Sequence, residues 1–198
     1  MDDDAAQTRV LEAADRLFYD RGIRSVGMDQ IRDASEVPLK RLYRLFPAKD
    51  QLVEAVPRRR DTAFERSLRD WVADRPSPQD KILALFDYLY DWFREPDSRG
   101  CPFINAYAEM RATSTGVTTV VETQKRALLA LLSELVAAAK APPAVAEQLF
   151  ILANGAMVTS AILGSPEPVQ AAKDAALALL AAHQVKKAPR KPTRPSRS

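Results

Sequence analysis

Four hydrogen-bond donors crowd one short stretch of the chain: Lys40, Arg41, Tyr43 and Arg44, with Lys49 just behind them. Guanidinium and ammonium groups donate to guanine O6 and N7 in a duplex major groove, and a tyrosine hydroxyl donates to phosphate. The surrounding residues 32–60 carry eight bases (Arg32, Lys40, Arg41, Arg44, Lys49, Arg58, Arg59, Arg60) against four acids (Asp33, Glu36, Asp50, Glu54). A solvated basic face on an ordinary helical bundle has the same composition. What separates the two readings is the element that carries these residues.

Other chemistries lack their parts. The sole histidine, His183, lies next to a basic, proline-punctuated end, far from any nucleophile it could activate. One cysteine, Cys101, excludes an internal disulfide and a cysteine-based metal cage, and reads as a small buried hydrophobe or, alternatively, a redox-sensing thiol. The six glycines (Gly22, Gly27, Gly100, Gly116, Gly155, Gly164) form neither a phosphate loop nor a dinucleotide fingerprint. Asp29 and Asp33, one helical turn apart, read as surface charge. No catalytic residue, metal ligand or cofactor is expected.

The elements that must position the basic cluster are helices. Apolar residues recur at three and four rather than two, and no stretch reads as a strand. The spacing predicts a first helix over residues 6–21 with Val10, Leu11, Ala14, Leu17 and Phe18 inward, ended by Gly22. A short second helix over residues 28–35 turns Met28, Ile31 and Ala34 inward. Glu36-Val37-Pro38 then makes a tight turn into a third helix ending at Phe46, with Leu39, Leu42 and Phe46 facing the core. Lys40, Arg41, Tyr43 and Arg44 are left pointing outward. Three short helices with this turn describe a helix-turn-helix, whose second member lies in the major groove.

Further helices are expected at about residues 48–73 (bent at Pro57), 78–94, 102–111, 118–139, 143–163 and 168–183. The last two are rich in alanine and apolar nearly all round, so they call for burial on a second side, as a dimer interface provides. With 46% hydrophobic and 28% charged residues the chain has the balance of a soluble globular protein. No run approaches about 18 consecutive apolar residues, so no membrane span is expected. The acidic start Met1-Asp2-Asp3-Asp4 lacks the apolar run of a secretory leader, making the cytoplasm the expected compartment. The net charge of +3 is uneven: residues 184–198 carry six bases and no acid, leaving −3 for the rest. That end is expected to be disordered, as a solvated terminus or a polybasic arm for phosphates.

The run Val10-Leu11-Glu12-Ala13-Ala14, with Leu17-Phe18, Gly22, Ile31, Val37, Leu42-Tyr43, Phe46, Lys49 and Leu52, resembles the amino-terminal domain of the TetR family of bacterial transcriptional regulators over about residues 6–56. Gly100-Cys101-Pro102-Phe103-Ile104-Asn105-Ala106 is similar to one branch of the family's regulatory domains. The resemblance implies an all-α homodimer that binds a palindromic double-stranded operator, usually as a repressor released by a small molecule. Its domains would be a helix-turn-helix unit at 4–56 and a helical bundle for ligand binding and dimerisation at 57–183, followed by the basic tail at 184–198.

By position, Lys40, Arg41, Tyr43, Arg44 and Lys49 match the family's usual DNA contacts. Arg32, in place of a common alanine, adds a group able to reach phosphate. Glu36 replaces the usual turn glycine and Gly27 a capping threonine. For the effector, Trp92, Phe93, Phe103, Tyr107, Met110 and Met157 are the candidate pocket wall, with Asn105 and Glu109 as polar handles, although aromatic and apolar stripes of this kind are more often plain core. The rival reading is a helical protein–protein interaction module without specific DNA binding.

Overall fold

The computed structural model describes residues 2–185, and the six bases of the expected tail lie outside them. Among the described residues there are nine helices and no strand. The all-α expectation is met, and helix limits follow the local signals closely.

Helix α1 (Asp3–Arg21) starts where the Asp2 carboxylate accepts the Ala5 N–H at 2.7 Å, with Asp3 and Asp4 complementing the helix dipole. It stops at Gly22, whose φ of +83° is costly for any residue with a Cβ. Ala6, Val10, Ala14, Leu17 and Phe18 form its buried stripe. Helix α2 (Met28–Ser35) lacks a side-chain cap at Gly27, and the Gln30 side-chain Oε1 instead accepts the Gly27 N–H at 2.8 Å. Ile31 is buried as expected, but Ser35, not Ala34, occupies the neighbouring core position. Ser35 tolerates burial because its hydroxyl donates to the Arg32 carbonyl and accepts from the Val37 N–H.

Glu36 sits in the left-handed region at φ +54°. An L-residue there costs roughly 1–2 kcal/mol, only partly offset by the unfolded-state freedom glycine would add. Glu36→Gly is therefore expected to stabilise the fold by about 0.5–1 kcal/mol, read as a higher urea midpoint at unchanged slope. The exposed Glu36–Arg9 ion pair lost in that variant contributes little.

Helix α3 (Leu39–Leu45) is held by fully buried Leu42, with Phe46 buried at its end. Helix α4 (Lys49–Ala73) runs on through Pro57 and crosses the expected boundary at residue 56 without a break. It packs on α1 and also on α5, α6 and α7, so one continuous element belongs to both the head and the body. The body comprises α5 (Pro78–Phe93), α6 (Pro102–Met110), α7 (Thr115–Ala138), α8 (Ala144–Leu163) and α9 (Glu167–Val185). Helix α5 opens with the Ser77 hydroxyl accepting the Asp80 N–H and with Pro78 in the first turn. Its stripe of Ile82, Leu85, Phe86, Leu89 and Phe93 lies at the centre of the body, against α4, α7, α8 and α9.

Helix α8 has the nearly all-round apolar composition expected of it. It is long and apolar enough to cross a membrane by length and composition, with a mean hydropathy of 1.4 over its most apolar window. Glu147, Gln148 and Asn154 interrupt the run without lowering the mean far. Leu149, Ala153, Ala156 and Met157 face the core between α7 and α9. Its other side leaves Ile151 67%, Val158 41% and Ile162 76% exposed.

Candidate functional site

Residues 40–44 form a cationic ridge. The inward side of α3 is fixed by Leu42, and Lys40, Tyr43 and Arg44 are exposed while Arg41 is half-buried at its root. Pro38, Lys40, Arg41 and Arg44 line one shallow concavity. This is a surface that can enter a groove.

The first turn of α1 caps that ridge. One oxygen of Asp3, Oδ1, accepts from Arg41 Nε at 3.0 Å, from Arg41 Nη2 at 2.7 Å and from Arg44 Nη2 at 2.6 Å. The Arg41 hydrogen bond, helped by the charges of both arginines, holds the Asp3 carboxyl below its usual 3.8 although desolvation pulls the other way. The clamp is thus intact at neutral pH and lost only as pH falls through that lowered value. Sequence reasoning missed Asp3. Its signal was the acidic start of the chain, but nothing local says that α1 begins beside α3, 38 residues later.

Arg32 is held on its own helix, with guanidinium contacts of 2.7 Å to Asp33 and 3.3 Å to Asp29, and the Asp33 hydrogen bond raises its pKa. Lys49 differs from the expectation. Its ammonium is turned inward and donates to the Ile23 carbonyl at 2.6 Å. Burial lowers its pKa, with the charges of Asp50 and Glu109 opposing. It ties α4 to the loop after α1 instead of reaching outward.

The body contains a cavity of about 490 Å³ between α4, α5, α6, α7 and α8. Of the expected pocket residues it gathers Trp92, Phe103 and Met157. Phe93 and Met110 are packed in the core instead, and Tyr107 is 38% exposed on α6. Phe64, Trp71, Tyr88, Gln124 and Lys125 line the cavity without having been singled out from sequence. Trp71 and Tyr88 meet edge to face at 5.8 Å, and Phe64 meets Tyr88 at 5.9 Å and Phe103 at 6.4 Å. Cys101 is buried at one wall, 3.6 Å from the Lys125 ammonium.

Asn105 and Glu109 line a second cavity, of about 460 Å³, at the junction of head and body. Glu109 accepts the Arg24 N–H at 3.2 Å from the loop between α1 and α2. At the other end of α6, the Tyr19 hydroxyl donates to the Gly100 carbonyl at 3.0 Å and accepts the Arg99 N–H at 2.7 Å. Gly100 makes this possible: its φ is +86°, and a Cβ there would lie 2.8 Å from that of Ala161. Phe103 lines both cavities, so α6 spans from the aromatic chamber to the grip on the head.

A three-helix head whose third helix is cationic and faces outward, joined by one long helix to a hollow helical body, defines a helix-turn-helix regulator. Residues 10–56 match the family model for bacterial regulatory proteins of the tetR family, and residues 78–176 match the tetracyclin repressor-like C-terminal domain. The chain belongs to the TetR family.

A TetR-family transcriptional regulator from Streptomyces coelicolor has a similar fold, with a TM-score of 0.84 at 29% identity over 91% of this chain and 96% of that one. In sequence, an uncharacterized HTH-type transcriptional regulator of Mycobacterium tuberculosis is 33% identical over 79 residues, which is 40% of this chain and 39% of the relative. The HTH-type transcriptional activator FasR of Mycolicibacterium smegmatis is 31% identical over 97 residues, 49% of this chain and 44% of that protein. The match thus spans less than half the length of these two curated relatives.

Proposed function

We propose that the chain acts in the cytoplasm as a homodimeric transcriptional regulator that sets α3 of each protomer into successive major grooves of a palindromic operator. It represses until a small molecule occupies the aromatic cavity. The observation that carries this reading is the outward set Lys40, Arg41, Tyr43 and Arg44 on a helix whose opposite side is anchored by Leu42.

Residues 4–56 supply the DNA-binding unit, and residues 57–183 the ligand-binding and dimerising one. Two copies pair through the exposed apolar faces of α8 and α9. A ligand shifts the balance of two states only through its different affinity for each. Here that difference acts on Phe103. Displacing this ring moves α6, and with it the contacts of Glu109 with Arg24 and of Gly100 with Tyr19, altering the spacing of the two α3 helices. A palindrome demands a spacing near 34–36 Å per helical turn.

Selection of bound fragments from genomic DNA tests the reading. The expected result is enrichment of a twofold-symmetric site, with transcription of the adjacent gene rising when the regulator is deleted. Enrichment of no sequence overturns operator binding, and falling transcription makes the protein an activator.

Asp3 competes with DNA for the two arginines it clamps, and places a negative charge beside incoming phosphates. Asp3→Asn is expected to tighten operator binding roughly two- to fivefold at low salt, an effect that fades as salt screens the pair. Fluorescence anisotropy of a labelled operator at two ionic strengths measures it. Weaker binding by the variant would instead make Asp3 a buttress that orients the arginines for reading.

A further inference from the structure

We propose that the aromatic cavity of the body selects a flat aromatic carboxylate, with Lys125 holding the anion and Gln124 taking a hydrogen bond from a donor on the ring. This deepens the reading of the chain as a ligand-released regulator and rests on it for its biological meaning.

Charge pairing points to the anion. Lys125, on α7, is half-buried and lines the cavity. Its ammonium donates to Asn154 Oδ1 at 2.7 Å and contacts the Cys101 sulfur at 3.6 Å. Among the described residues no carboxylate lies within ion-pair distance of it. The Asn154 amide is itself fixed, because its Nδ2 donates to the Phe150 carbonyl at 2.8 Å. A half-buried cation met by a neutral dipole and a thiol is only partly compensated, and a bound carboxylate supplies what is missing.

The other charged groups of the cavity are already provided for. Arg60 is paired with Asp15 at 2.8 Å, while Asp91 and Glu95 are exposed at the rim, where water screens them. Lys125 is therefore the cation available to a ligand.

A second polar signal sits beside it. Gln124 is only 3% exposed, and its Oε1 is buried without a hydrogen-bond partner. A buried acceptor left unmatched is costly, and a ligand hydroxyl or N–H relieves that cost. The walls set the rest of the ligand. Rings of Phe64, Trp71, Tyr88 and Phe103 already meet edge to face, leaving surfaces suited to one further planar ring system. The volume of about 490 Å³ is ample for a bicyclic acid.

The test is calorimetric titration of the full chain with 2-naphthoate and with 2-naphthamide, which share a ring and differ in charge. Wild-type protein is expected to bind the carboxylate about tenfold more tightly than the amide. Lys125→Met, which keeps the apolar stem, is expected to bring that ratio to about one, and Lys125→Arg to retain it, so a folding defect in either variant leaves the other comparison standing. 4-Hydroxy-2-naphthoate, whose hydroxyl is out of reach of its own carboxylate, is expected to gain a few-fold over 2-naphthoate in wild type and to lose that gain in Gln124→Met.

Equal binding of acid and amide by wild type, binding of neither, or a preference that survives in Lys125→Met overturns the inference. Operator binding by unliganded wild type is measured alongside. Protein that binds its operator without preferring the acid loses this inference alone. Protein that prefers the acid but ignores every duplex loses the regulatory reading instead.

Discussion

Replacing Arg41 and Arg44 together with alanine is expected to abolish operator-specific binding while leaving the fold in place. A guanidinium reading a base edge is typically worth about 1–3 kcal/mol, so losing two corresponds to roughly thirtyfold up to about twenty-thousandfold in affinity. Both arginines share the Asp3 carboxylate, so the double variant is not expected to equal the sum of its parts. Stability should change little, because the anchor of α3 is Leu42 on the other side, the Arg44–Asp3 pair is largely exposed and Asp3 itself stays accessible to water. The decisive readout is the pattern across operator variants. An arginine that reads a base loses discrimination at one position of each half-site, whereas one that holds phosphate loses affinity uniformly. Unchanged affinity in the double variant would remove α3 from the interface.

The second large effect concerns the pairing of protomers. Ile151, Val158 and Ile162 fall on one face of α8, with Gly155 among them, and Leu177 of α9 is 54% exposed. An apolar face of this extent is unusual on a lone soluble chain, and Gly155 lets another helix approach closely. Ile151→Glu with Ile162→Glu puts two carboxylates from each protomer into the proposed contact. The variant is expected to elute as a monomer in gel filtration, with its helical circular dichroism retained. Operator affinity should then drop by roughly 10²–10⁴, because each half-site is bound without the other as a tether. A variant that remains dimeric would move the interface elsewhere.

What could be read in the sequence was what neighbours in the chain determine. The limits of α2 coincide with those expected, and α5 starts at the expected residue 78, because caps, prolines and apolar spacing act within a turn or two. The outward set on α3 follows from the same local geometry once Leu42 points inward. Contacts across the fold left no such trace. Asp3 reaches Arg41 because α1 starts beside α3, and Lys49 turns inward because the Ile23 carbonyl and the Glu109 charge lie beneath it.

The cavity shows the same limit. Asn105 and Glu109 are polar residues on the α6 segment that carries Phe103, yet their side of the helix meets the head. Gln124 and Lys125 sit in an unremarkable polar stretch of α7, and only the packing of α4, α5 and α8 around them creates a chamber. Ser35 was passed over because serine rarely occupies a core position, and its two hydrogen bonds are visible only once the turn is formed.

The most direct test of the central claim, that the cations of α3 engage duplex DNA, is the dissociation constant of the full chain for its selected operator as a function of salt. Regulators making about six to ten phosphate contacts lose roughly 10³–10⁵ in affinity between about 50 and 200 mM salt. A linear log–log dependence of that steepness is expected, made shallower in the Arg41 and Arg44 double variant. Affinity indifferent to salt, or no binding to any duplex at the lowest ionic strength, would contradict it.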